Sequence, residues 1–156
     1  MIKLIRIDDR LVHGQVAFTW VPSLGVDYLV VANDKVAGDD FLKMTMGLAK
    51  PPTTKLLILT LEKAIALLND AKSKNLKILL LVTNVKDSHD LASSIAEIKS
   101  VNFGGIRMKD GARLISKAIA VSDEDVIVIQ KMLDLGIELE IRQVPTDKKI
   151  LIKDLI

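Results

Sequence analysis

Seven short aliphatic runs alternate with segments of helical periodicity, and this alternation limits the fold more than any other feature of the chain. The runs cover residues 2–7, 28–32, 55–59, 77–82, 98–102, about 117–120 and 137–141. Between them the apolar spacing predicts helices near 15–22, 38–49, 61–73, 87–96 and 122–135. Most runs are unbroken Ile, Leu and Val, the pattern of strands covered on both faces by helices. The expected fold is therefore a single α/β domain over residues 1–156, with a mainly parallel sheet of about seven strands and helices on both faces.

Capping signals agree with this register. Ser122-Asp-Glu-Asp125 has capping-box spacing, Val126, Ile129, Met132 and Leu133 share one helical face, and Gly136 supplies a stop. Thr60 precedes the Leu61, Ile65 and Leu68 stripe in the same way. Pro51-Pro52-Thr53-Thr54 reads as a tight connection rather than a domain boundary.

With 156 residues, 49% of them hydrophobic and 27% charged, the chain can bury a full core and is not disordered. Aromatics are only 3%, so the core is aliphatic, with the five methionines as gap-fillers. A formal charge of +2 without a long basic run argues against a nucleic-acid partner. There is no cysteine, hence no disulfide framework or thiolate metal site, and His13 and His89 alone make a poor zinc site. No stretch approaches the ~20 apolar residues that span a bilayer. Residues 1–3 lead directly into the first strand without a leader pattern, so a soluble, cytoplasmic chain is expected.

The chemistry concentrates in residues 6–16, Arg6-Ile-Asp8-Asp9-Arg10-Leu-Val-His13-Gly14-Gln15-Val16, directly after the first strand. Loops in this position commonly carry function in α/β proteins. His13 precedes a helix-like segment, where free N–H groups and the helix dipole favour a phosphate, and arginine can clamp one with two parallel bonds. A neutral imidazole is nucleophilic near pH 7. Arg6 and Arg10 can neutralise a transferring group, Gly14 allows close backbone approach, and Gln15 and the helix follow at once. Either Asp8 or Asp9 can fix the imidazole tautomer, or an aspartate can instead hold Arg10; the residues alone leave this open. A plain solvated turn with internal ion pairs is the competing reading.

Other features carry less. His89, within Asp87-Ser-His-Asp90, reads as part of a solvated helix start. Asp8-Asp9 resembles the acidic pair of a receiver domain, but the third strand ends in Leu59-Thr60 and offers no aspartate to phosphorylate. Gly104-Gly105 lacks an ATP-loop pattern and reads either as a turn or as a neighbour of His13.

The run from Arg6 to Val16 resembles the phosphorylation-site loop of the IIB components of the sugar phosphotransferase system, in the mannose/fructose/sorbose family. Trp20, Pro51-Pro52, Thr83-Asn84, Ser100-Val-Asn-Phe-Gly-Gly105, Gly136-Ile-Glu-Leu-Glu140 and Asp154-Leu-Ile156 are similar too, so the resemblance runs through the chain. Val85 replaces a frequent proline, and residues 107–120 fit only loosely. The resemblance implies an antiparallel strand at one sheet edge. It also implies phosphorylation of His13 on Nδ1 by a IIA phosphocarrier, and transfer to a sugar held by membrane IIC and IID subunits. No cofactor or metal is then required, because the donor is already an activated phosphohistidine. Membrane association would be peripheral, through IIC and IID, and homo-oligomerisation stays open. A non-catalytic α/β regulatory or binding module is the alternative.

Overall fold

A computed structural model describes residues 1–156. The main sheet has seven strands in the order β3-β2-β4-β1-β5-β8-β9. They are β1 (Ile2–Asp8), β2 (Tyr28–Ala32), β3 (Lys55–Leu59), β4 (Ile78–Val82), β5 (Ser100–Gly105), β8 (Glu138–Ile141) and β9 (Ile150–Leu151). Six strands run parallel, and β9 pairs antiparallel with β8 at one edge, as the resemblance implied.

Alternation within each strand separates two apolar layers. Val30, Ala32, Ile78, Leu80 and Val82 face one side, where α4 (Leu61–Asn69), α5 (Val85–Ser94) and α6 (Asp123–Asp134) bring Leu68, Leu91 and Met132. Leu29, Val31, Leu79 and Leu81 face the other side, against Val16, Trp20, Val36 and Met46. Those four come from a helical segment that starts at Gly14, and from α2 (Asp34–Ala37) and α3 (Asp40–Ala49). The first segment is a π-helical turn, Val16–Trp20, that continues into α1 (Val21–Leu24).

The chain after β1 therefore leaves to one face, whereas the helices after β4 and β5 cover the other. Such a reversal opens a crevice at the carboxyl ends of the strands. The loop carrying His13 sits at that end of β1.

Several elements differ from the sequence-based expectation. The run near 117–120 is not a strand of the main sheet. It is the turn and first half of β7 (Ile119–Ser122), which pairs with an unforeseen β6 (Ala112–Ser116) in a separate antiparallel hairpin. The hairpin's mixed polar and apolar residues lack the continuous apolar run of a doubly covered strand. The helix expected at 38–49 begins at Asp40 behind an Asp39 cap and is preceded by a separate short helix, α2, that ends at its Gly38 cap. Helix 61–73 ends at Asn69 before a 3-10 turn, and the helix predicted from 87 begins at Val85 behind an Asn84 cap. Strand 98–102 runs on through Gly104-Gly105, so these glycines are strand residues and not a turn. The Thr60 cap and the Ser122–Asp125 capping box are present, and Gly136 takes φ +80°, a left-handed stop that glycine adopts without strain.

Candidate active site

Asp8, at the end of β1, is fully buried, and its carboxylate is saturated. Oδ2 accepts from Arg6 Nη2 at 3.2 Å and from His13 Nε2 at 2.9 Å. Oδ1 accepts from the Arg10 backbone N–H at 3.1 Å and from Arg10 Nε at 3.3 Å. Burial alone raises this carboxyl's pKa; the His13 hydrogen bond and the Arg6 charge outweigh it and hold the value at about 2. Asp8 is thus a carboxylate at neutral pH. A carboxylate only accepts, so His13 Nε2 carries the proton, and in the neutral ring the lone pair is on Nδ1.

Sequence alone left Asp8 and Asp9 equivalent, and the two prove to be different. Asp9 makes no contact with His13; its Oδ2 accepts from the Arg107 backbone N–H at 2.9 Å and from Arg107 Nε at 3.2 Å. Alternation explains the split. Asp8 is the last strand residue and points into the layer that holds Arg6, whereas Asp9 begins the turn.

The turn is built to aim His13. Leu11 N–H donates to the Asp8 carbonyl at 2.9 Å, and Leu11 adopts φ +56°, a left-handed conformation costing roughly 1–2 kcal/mol for a side chain of this kind. Burial of Leu11 and Val12 in the apolar layer offsets that cost and leaves the next residue, His13, at the rim, with 17% of its side chain exposed. The His13 carbonyl accepts from Ala17 N–H, so the imidazole lies at the start of the helical segment. Gly14 opens that helix in exposed surroundings, and a Cβ there would meet nothing closer than Phe18 at 3.9 Å. Arg10 is 47% exposed, and its Nη2 reaches Gln15 Oε1 only at 3.5 Å, so most of the guanidinium is free to meet a ligand.

Arg6 serves otherwise than sequence suggested. It is fully buried and cannot touch an incoming group. Nη1 donates to Asn102 Oδ1 at 2.7 Å and to the Arg142 carbonyl at 3.0 Å, while Nη2 donates to Asp8 and to the Gln143 carbonyl at 3.1 Å. The guanidinium lies 5.0 Å from the centroid of the Trp20 ring, which Arg142 also approaches at 5.3 Å. Burial lowers the Arg6 pKa, and Asp8 opposes that shift; arginine stays charged regardless. Gly104 lines this slot, where any Cβ would collide with the Arg6 guanidinium.

Strand register extends the network. Arg6 is the Cα partner of Asn102, and Asn102 is that of Glu140. Asn102 Nδ2 donates to Glu140 Oε1 at 3.0 Å, and Glu140 accepts two bonds from Arg142, at 2.9 and 3.0 Å. Sequence reading missed Asn102, Glu140, Arg142 and Gln143. A signal existed: Arg6, Asn102 and Glu140 each interrupt an apolar run at a strand position, and all three are buried. His89 takes no part, as it pairs with Asp90 and Ser93 on α5.

Residues 2–156 match the family described as the PTS system sorbose subfamily IIB component. The chain belongs to the sorbose subfamily of phosphotransferase-system IIB components. The IIB component is 36% identical to the sorbose-specific EIIB component of Lacticaseibacillus casei, over 94% of this chain and 90% of that protein. It is also 36% identical to the mannose-specific EIIAB component of Escherichia coli K12, over its whole length but only 48% of that larger protein. Its fold matches the IIBSor domain of the Klebsiella pneumoniae sorbose permease with a TM-score of 0.94 and 30% identity, over 99% of this chain and 95% of that one. A IIB component for N-acetylgalactosamine from Streptococcus pyogenes gives 0.91 and 26%, over 99% and 97%. These relatives are phosphotransferase components, which sets aside the alternative of a non-catalytic binding module.

Proposed function

We propose that this IIB component carries its phosphoryl group on Nδ1 of His13. The observation that carries the reading is the 2.9 Å bond from His13 Nε2 to Asp8, which leaves Nδ1 as the nucleophilic nitrogen of a partly exposed imidazole. Nδ1 attacks the phosphorus of a phosphohistidine on a IIA partner; the new N–P bond forms as the donor's N–P bond breaks, and the electron pair of that bond leaves with the donor imidazole. The His13 ring gains positive charge, which the Asp8 carboxylate stabilises across the Nε2 proton. Arg10 neutralises the phosphoryl oxygens, as phosphoryl transfer depends chiefly on position and electrostatics.

In the second step the oxygen of a sugar hydroxyl, held by membrane IIC and IID subunits, bonds to the phosphorus as the His13 Nδ1–P bond breaks. The electron pair of that bond returns to Nδ1, the hydroxyl proton passes to solvent, and His13 returns to neutrality. No helix of this chain is long and apolar enough to cross a membrane. In this reading contact with the bilayer is made through those subunits. IIA and the membrane complex must reach the same imidazole. Their footprints therefore overlap, binding is mutually exclusive, and the interfaces are modest and partly polar so that encounters turn over.

Labelling with phosphoenolpyruvate carrying radioactive phosphate, through the upstream phosphotransferase proteins, tests this. Wild type takes up acid-labile phosphate and His13→Ala takes up none while keeping its fold. Equal labelling of His13→Ala would refute the assignment.

A further inference from the structure

We propose that the cleft beside the His13 loop binds the phosphate ester of the transported sugar, the product of the second step. This rests on the reading of His13 as the phosphoryl donor. The cleft has a volume of about 460 Å³ and lies between the turn after β1, the end of β5 and the β6–β7 hairpin. That volume falls within the ordinary range of small-molecule sites.

Its chemistry suits a sugar phosphate. Arg10, Arg107 and Lys117 line it against a single carboxylate, Asp9, so the wall carries a net charge of +2, three cations less one anion. Asp9 is already neutralised by Arg107. Lys117 is exposed and forms no ion pair, so its ammonium is available to a dianion. Met108 and Leu114 also line the cleft and are each 58% exposed, an apolar surface suited to the C–H face of a sugar ring.

Gln143 supplies the hydroxyl-binding group. Its carbonyl is pinned by Arg6 Nη2 at 3.1 Å and Trp20 Nε1 at 2.9 Å, and its N–H donates to Asp147 at 3.0 Å. The backbone is thus fixed from three directions, while Gln143 lines the cleft and its side-chain amide makes no hydrogen bond within the protein. A free amide on an immobilised backbone offers one acceptor and two donors at little ordering cost. Occupancy would also bear on the chemistry, because Arg10 is shared between the cleft and Asp8. A bound phosphate ester draws on the same guanidinium as the incoming phosphoryl group, so product slows rephosphorylation of His13.

NMR titration of the unphosphorylated protein tests the site, using the phosphate esters of mannose, sorbose, fructose and N-acetylgalactosamine, the unphosphorylated sugars, and inorganic phosphate. At least one ester is expected to shift the amides of Gly105, Arg107, Lys117 and Gln143 saturably, about tenfold more tightly than inorganic phosphate, with no shift from free sugar. Lys117→Ala and Gln143→Leu should each weaken that binding about tenfold, and Lys117→Ala should leave His13 labelling by phosphorylated IIA unchanged. No saturable shift with any ester, equal binding of inorganic phosphate, or unchanged binding in Lys117→Ala would overturn the proposal. Labelling of His13 in the same samples separates the two readings: intact labelling without binding defeats the cleft alone, and lost labelling defeats the assignment of His13.

Discussion

Asp8 Oδ2 and His13 Nε2 stand 2.9 Å apart, and the same carboxylate oxygen takes Arg6 Nη2 at 3.2 Å. One buried carboxylate therefore couples the candidate nucleophile to a guanidinium that also bonds Asn102 on β5 and the Arg142 and Gln143 carbonyls after β8. Orientation of the imidazole and stability of the sheet end are one device.

Asp8→Asn separates charge from shape. Its amide can present N–H to the ring, which favours the tautomer with the proton on Nδ1, and it leaves the buried Arg6 charge uncompensated. Phosphoryl transfer to His13, followed by rapid quench, is expected to slow by about a hundredfold or more. Thermal unfolding should show a loss of about 3 kcal/mol, on the order of 10 °C in Tm. Wild-type transfer rates in this variant would remove Asp8 from the mechanism.

Arg10→Ala should behave in the opposite proportion. Its pair with Asp8 is half exposed and worth less than about 1 kcal/mol. Loss of the guanidinium facing the phosphoryl group is expected to cost about a hundredfold in transfer rate. Equal rates for the variant and the wild type would exclude Arg10 from the site.

Two glycine substitutions make a matched test of the Arg6 slot. Gly104→Ala drives a methyl group into the guanidinium and should destabilise by more than about 2 kcal/mol, with slower labelling of His13. Gly47→Ala, inside α3 with open space around its Cβ, should stabilise by about 0.5–1 kcal/mol and leave labelling alone. Chemical denaturation reads both. Similar unfolding midpoints for the two variants would show that the slot tolerates a side chain.

Acid should unfold the wild type partly through Asp8. Its folded pKa, about 2, lies below the ordinary 3.8, so its contribution is complete above pH 4 and is lost as pH falls from about 4 to about 2. The loss amounts to about 2 kcal/mol and should be absent from Asp8→Asn. Parallel stability curves for the two proteins across that window would contradict the assignment.

The sequence by itself determined the elements and their stacking. Continuous aliphatic runs mark doubly covered parallel strands, Thr60 and Ser122 mark helix starts, and the charged loop after β1 falls at the carboxyl end of the sheet because a strand's end is local information. The hairpin escaped because β6 is half-exposed and mixes polar with apolar residues, so the buried β7 had no legible partner beside it in the sequence. Only the tertiary structure decided which partner each polar residue takes. Arg6 meets Asn102 across 96 residues and the Gln143 carbonyl across 137, and Asp9 meets Arg107 across 98. Those distances are closed by strand order and register, which depend on the packing of two whole apolar layers. A periodic pattern read along the chain says which face a residue occupies; what waits there is set by strands far away in sequence.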